Sequence, residues 1–111
     1  MKTELKFRKW HKEFEEMIFS ENILTAFWMT YEKYPEKYEL MICAGIKDKK
    51  GQDIYDGDIF KLGAEKEVFE VRFEHGCFMA FKNGKQFGLI GELQICFTDV
   101  IWNIHQNPNL L

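Results

Sequence analysis

Between Gly45 and Ile59 the chain reads Gly-Ile-Lys-Asp-Lys-Lys-Gly-Gln-Asp-Ile-Tyr-Asp-Gly-Asp-Ile. Three glycines and four aspartates fall within this stretch. No helix can run through it: glycine is costly inside a helix, and Asp and Gly favour turns. An apolar run, Leu40-Met41-Ile42-Cys43, leads in, and a second, Ile59, Phe60 and Leu62, leads out. The segment is therefore a connection that sets how a leading part of the chain meets a trailing part. Gly45, Asp48, Gly51, Asp56, Gly57 and Asp58 are its expected turn residues. The carboxylates would accept backbone N–H bonds while the glycines supply positive φ.

The trailing part reads as short strands. Asp58–Leu62 is one, with a turn over Gly63–Lys66. In Glu67–Phe73 the residues Phe69, Val71 and Phe73 alternate with Glu70 and Arg72, the pattern of one dry and one wet face. His75-Gly76 is a tight turn before the strand Cys77–Lys82. Asn83-Gly84 suits the two positive-φ positions of a type I′ hairpin, with Gln86–Ile90 returning. Gly91–Leu93 has the makings of a short helical turn; strands over Ile95–Phe97 and Val100–Gln106 and a tail to Leu111 complete the reading. About five strands in about fifty residues is the size of an SH3-like barrel.

The leading part is less decided. Trp10, Phe14, Met17 and Ile18 lie at helical spacing. The same residues also fit a hairpin, with a strand through Leu5–Trp10, a turn over His11–Glu15 and Glu16–Phe19 returning. Asn22–Thr30 fits a buried strand or a short helix. Tyr31–Lys37 reads as a loop, because Pro35 keeps Tyr34 out of the helical region, and Tyr38–Ala44 returns to strand. The expected fold class is mainly β: a small SH3-like barrel or roll in the C-terminal half, residues 45–111, packed with an N-terminal β-rich lobe, residues 1–44, in a single domain.

A chain of 111 residues, 46% hydrophobic and 30% charged, is globular, and it buries roughly two-thirds of its unfolded surface without staples. Its formal charge of −3 disfavours non-specific nucleic-acid binding without excluding a local basic patch. The cysteines, Cys43, Cys77 and Cys96, are odd in number and far apart. Met1–Trp10 carries charges throughout and has no apolar core of a secretory leader. Together these predict a cytoplasmic location with the thiols as small hydrophobes. No window reaches the ~20 apolar residues of a membrane span, so no membrane partner is expected.

Four constellations invite a chemical reading. Asp48, Asp53, Asp56 and Asp58 could hold Mg²⁺ or Ca²⁺, but Asp56-Gly57-Asp58 lacks the alternating acids and distant Glu of a calcium loop, and turn-forming carboxylates are the expectation. His75, Cys77, Cys96 and His105 could be drawn as a zinc set, yet only His75 and Cys77 are closely spaced. The one serine, Ser20, has no nearby His, and Gly45 and Gly51 are not followed by the Lys-Ser/Thr of a phosphate loop. The expectation is no catalytic residues, no metal and no cofactor. The fourth is aromatic: Phe27, Trp28, Tyr31 and Tyr34, with Tyr38 beyond, are the candidate binding residues. Such groups anchor protein partners or stack bases, and they also seal cores and subunit interfaces. Arg8, Lys9 and Trp10 offer a smaller version of the same surface.

Four stretches, in order along the whole chain, resemble the YopX family, small proteins carried by phages and prophages of Gram-positive bacteria. They are Lys6-Phe7-Arg8-Lys9-Trp10 with Met17-Ile18; Leu40-Met41 through Gly45–Gly51 and Ile54–Ile59; Val71–Phe78; and Val100–Leu111. Ala44 stands where the family usually has Thr, Trp102 where it has Gly and His105 where it has Tyr. The resemblance implies a mostly β protein with an SH3-like barrel in its C-terminal part, and it selects the hairpin over the helix near Trp10. It implies expression inside an infected or lysogenic bacterial cell, and homo-oligomerisation. It implies no reaction. The function expected is a phage or prophage accessory protein, a non-enzymatic, self-associating β-barrel module that binds a host or phage protein. A nucleic-acid-binding barrel is the alternative, and a metal-dependent nuclease built on the aspartates the weaker one.

Overall fold

The computed structural model describes residues 5–21, 26–62, 67–90 and 100–107. The chain is mainly β and forms two antiparallel sheets. The first is built from β1 (Phe7–His11), β2 (Glu16–Phe19), β3 (Tyr38–Lys47) and β4 (Asp53–Tyr55), in the order β2-β1-β3-β4. The second is built from β5 (Asp58–Leu62), β6 (Glu67–Glu74), β7 (Cys77–Lys82), β8 (Lys85–Leu89) and β9 (Val100–Asn103), in the order β8-β7-β6-β5-β9, one sheet being curled into a half-barrel. One α-helix, α1 (Phe27–Lys33), and a 3-10 turn (Pro35–Lys37) lie between β2 and β3. No helix among the described residues is long and apolar enough to cross a membrane.

Trp10 to Phe19 is the hairpin. Arg8 faces Phe19 and Trp10 faces Met17 across β1 and β2, while β1 also pairs along its length with β3. Two-sided pairing outweighs the helical spacing, which would have put Phe14 beside Trp10. Instead Trp10 is buried and Phe14 is exposed at the hairpin turn. The loop expected over Tyr31–Lys37 is corrected: α1 runs to Lys33 and a 3-10 turn starts at Pro35. Proline acts as anticipated on its neighbour, since Tyr34 leaves the helical region at φ −133° and the helix stops there.

Gly45 lies inside β3, not in a turn. At φ +79° it sits where the β3–β4 register shifts between Cys43 and Lys47, which makes it a bulge residue. The strand thus passes through residues 44 and 45, and β4 also belongs to the first sheet. The change of sheet falls at Asp56-Gly57. Asp56 N–H donates to the Ile42 carbonyl of β3 (3.0 Å), and Gly57 N–H donates to the Val71 carbonyl of β6 (2.8 Å). One tight turn is stitched to both sheets.

In the second sheet, Phe60, Phe69, Val71 and Ala80 form a core with Ile90, and Ile54 of β4 joins it from the first sheet. The alternation expected for β6 holds at Phe69 and Val71 but ends at Phe73, which is exposed. Glu70 is buried beside Arg72 (2.9 Å), so the second face of the sheet is not simply wet. His75-Gly76 and Asn83-Gly84 both turn through paired positive φ angles, as type I′ hairpins require. The strand read as Gln86–Ile90 is Lys85–Leu89, and that read as Val100–Gln106 stops at Asn103, where the Asn103 side chain accepts the N–H groups of His105 and Gln106 and closes a turn. The turn over Gly63–Lys66, the elements over 91–97 and the tail from 108 lie outside the described residues.

Among the described glycines of positive φ, Gly57 is the one the fold can least replace. Its φ is +93°, and a β-carbon there would stand 3.3 Å from the Met41 sulfur. Gly51, at φ +81°, has open space around it. Gly57→Ala is expected to cost about 1–3 kcal/mol, and Gly51→Ala less, in urea denaturation of the two variants.

Candidate functional site

β1 carries two adjacent cations, and strand alternation sends them to opposite faces of the first sheet. Arg8 enters the space between the two sheets. Its Nη2 donates to Asp58 Oδ1 (2.7 Å) and reaches the Asp56 carbonyl (3.4 Å), its Nε lies 3.3 Å from the Met41 sulfur, and its guanidinium sits 4.6 Å from the Tyr55 ring centroid. Asp58 Oδ2 accepts the Tyr55 N–H (2.8 Å). The pair is nearly dry, with Arg8 only 5% exposed. Burial pushes the Asp58 carboxyl above its ordinary range, and Arg8 and the Tyr55 N–H oppose that rise. Burial, with Glu21 close by, pushes the Tyr55 hydroxyl far up, so it stays protonated and donates weakly to Glu21 Oε1 at 3.4 Å.

Around this pair opens a cleft of about 570 Å³. Phe19 and Met17 of β2, Tyr55 and Asp53 of β4 and Trp102 and Asn103 of β9 supply its walls. Three edge strands therefore meet there. Phe19 and Tyr55 lie on opposite margins of the first sheet yet their rings stand 5.8 Å apart, so that sheet is strongly curled over Arg8.

Lys9 goes the other way. It is 1% exposed, donates to the Phe27 carbonyl (2.6 Å) and to the Thr30 hydroxyl, and lies over the rings of Tyr38 (4.3 Å) and Phe27 (4.6 Å). No carboxylate answers it among the described residues, and burial lowers its amine below the ordinary lysine range. It pins α1, whose N-cap Ala26 offers no side-chain cap. A helix this short does not persist without packing.

The aromatic candidates gather on this outer face. Phe27 is buried against Lys9; Trp28 and Tyr34 are exposed and Tyr31 is half-buried. Tyr34 lies between the Lys33 and Lys37 amines rather than against the other rings. The remaining rings form a continuous run: Phe14 to His11 (4.4 Å), His11 to Tyr38 (4.9 Å), Tyr38 to Tyr31 (6.4 Å), Tyr31 to Trp28 (6.3 Å) and Trp28 to Phe7 (5.0 Å). Arg8, Lys9 and Trp10 are not the small surface group their sequence suggested, because all three are buried. Two neighbouring cations flanked by Phe7 and Trp10, with Asp58 downstream, were the available signal.

The four aspartates do not converge. Asp48 Oδ1 accepts the N–H groups of Lys50 and Gln52, Asp53 pairs with Lys6 (3.1 Å), Asp56 Oδ1 accepts the Phe73 N–H, and Asp58 holds Arg8. No group of three His, Cys, Asp or Glu side chains that could hold a metal ion occurs among the described residues. Of the drawn zinc set, His105 stacks on Trp10 (5.6 Å), Cys77 is exposed in β7, and Cys96 lies outside the described residues.

Fold and site together define a small two-sheet β protein whose sheets are joined by a buried ion pair beside a polar cleft. The sequence profile of the YopX protein family matches residues 6–111, and the chain belongs to that family. Among solved structures it is similar to protein EF1440 from Enterococcus faecalis, at 23% identity and a TM-score of 0.65, with 99% of each chain covered. It is also similar to the protein yopX from Bacillus subtilis, at 20% identity and a TM-score of 0.62, covering 96% of this chain and 95% of that one. At these identities the likeness is one of fold. No curated protein matches the chain in sequence.

The two β1 cations are expected to behave differently. Arg8→Met strands a buried carboxylate and is expected to cost about 3–5 kcal/mol. Lys9→Met keeps the volume and removes a desolvated charge, at no more than about 2 kcal/mol. The folded Lys9 amine titrates below the unfolded one, so between the two pKa values the unfolded chain binds more protons and this residue's contribution rises with pH. Urea denaturation of wild type and Lys9→Met should therefore show the difference moving in favour of wild type as pH is raised from 7 toward 10.

Proposed function

We propose that this chain is a non-enzymatic binding module, a phage or prophage accessory protein acting in the cytoplasm of the bacterial host, which self-associates and engages a host or phage protein. The run of rings from Phe14 to Trp28 carries the reading. Parts of it are open to solvent: Phe14 is 70% exposed, Trp28 43%, and Met29 beside it 73%. Exposed aromatic and methionine side chains cost solubility and recur as anchors of protein interfaces. Lys9 holds α1 from below, so the outer rings are presented on a fixed frame and lose little entropy on binding. Membership in the YopX family is consistent with this role. The formal charge of −3 works against a nucleic-acid partner.

Light scattering coupled to size exclusion tests the reading. Wild type is expected to associate in the micromolar range, and Trp28→Ser combined with Met29→Ser to shift the equilibrium toward monomer at least tenfold with the circular dichroism unchanged. A wild-type chain that stays monomeric at several hundred micromolar, and that is retained on DNA at physiological salt, would overturn it.

A further inference from the structure

The cleft between the sheets lies across β1 from the aromatic run, and two of its polar groups are unanswered. Arg8 donates through Nε and Nη2, but Nη1 meets no acceptor among the described residues, although only 6% of the side chain is exposed. A buried donor without an acceptor is costly, so the site favours an occupant that brings one. Glu21, at the cleft rim, has only the Tyr55 hydroxyl at 3.4 Å and no cation within ion-pair distance among the described residues. The other two cleft carboxylates are already matched, Asp58 by Arg8 and Asp53 by Lys6. The Phe19, Tyr55 and Trp102 rings and the Met17 side chain line the space near these groups.

We infer that the cleft is a binding site for a basic segment of polypeptide, whose main-chain carbonyl accepts from Arg8 Nη1 while an Arg or Lys side chain lies along the aromatic wall to Glu21. Each part answers a group of the cleft. A carbonyl supplies the missing acceptor without adding negative charge. A cation supplies the missing partner of Glu21, and its stem or guanidinium gains from the ring faces. The volume of about 570 Å³ suits one long side chain with its flanking backbone. A purine base could also offer an acceptor and a donor, but its phosphate would approach a cleft bearing Glu21, Asp53 and Asp58 on a chain of net charge −3. The site is separate from the Phe14–Trp28 run and does not rest on it.

Titration calorimetry of the full chain with blocked hexapeptides tests this. The peptides carry Arg, Lys, Gln or Glu at one central position in a Gly-Ala background, and guanosine monophosphate serves as the comparison. The Arg and Lys peptides should bind at least tenfold more tightly than the Gln and Glu peptides, and Glu21→Gln should remove at least fivefold of that preference. Arg8→Lys, which keeps the charge but loses Nη1, should weaken all four peptides alike and leave the preference in place. Should it fail to fold, Glu21→Gln on the exposed rim still decides the matter. Equal binding of the four peptides, no binding, an unchanged preference in Glu21→Gln, or tight binding of the nucleotide with silent peptides would each overturn the inference.

Discussion

A guanidinium on the first strand reaches a carboxylate fifty residues downstream, and the two sheets meet around that contact. Arg8 and Asp58 each lose their water, a penalty of several kcal/mol per ion that their mutual attraction only partly returns. Additional donors and acceptors make the arrangement tolerable: Asp58 takes a backbone N–H from Tyr55, and Arg8 adds the Asp56 carbonyl, the Met41 sulfur and the Tyr55 ring. Most of these partners lie within the Tyr55–Asp58 turn. The pair therefore specifies where that turn sits more than it adds net stability. Since Asp56 N–H and Gly57 N–H are bonded to β3 and β6, fixing the turn fixes the angle between the sheets.

Alternation along β1 divides the work of the molecule. One residue apart, Arg8 and Lys9 point to opposite faces, and each organises what lies there. On one side an ion pair leaves a polar, half-aromatic cleft. On the other an amine with no carboxylate partner among the described residues is satisfied by a helix carbonyl, a hydroxyl and two rings, and so ties α1 and the aromatic run to the sheet. A one-residue slip of β1 against β3 would exchange the two cations and undo both faces at once. Buried polar groups thus fix register here in a way that a purely apolar strand could not.

Local signals made much of the second sheet legible. Asn83-Gly84 and His75-Gly76 announce hairpins because few residues tolerate paired positive φ, and Phe69 and Val71 announce a buried face. The Asp56-Gly57 turn was legible from its glycine, which takes positive φ there. The first sheet was harder to read. Trp10, Phe14, Met17 and Ile18 satisfy two periods, and only pairing of β1 with strands on both sides separates them. The helix at Phe27–Lys33 has no cap signal, and its anchor, Lys9, comes from a distant strand. Of the candidate aromatic residues Tyr34 stands apart, and the connected run was not legible, since His11, Phe14 and Phe7 join it through space. Arg8 and Lys9 were read as surface because long cations usually are, and nothing local to them names Asp58 or Phe27 as partners.

Setting charge beside the apolar contact between the two sheets has a consequence for what the joint can do. An apolar seam would pack to the density of the core and leave no room. A guanidinium fork cannot be matched by one carboxylate and a turn alone, because its five N–H groups spread over a plane wider than those acceptors. The side chains around it must then stand back, and three edge strands stand at the margin. The cleft is thus the geometric remainder of the way the fold is held shut, and its polarity is inherited from the pair that closes it.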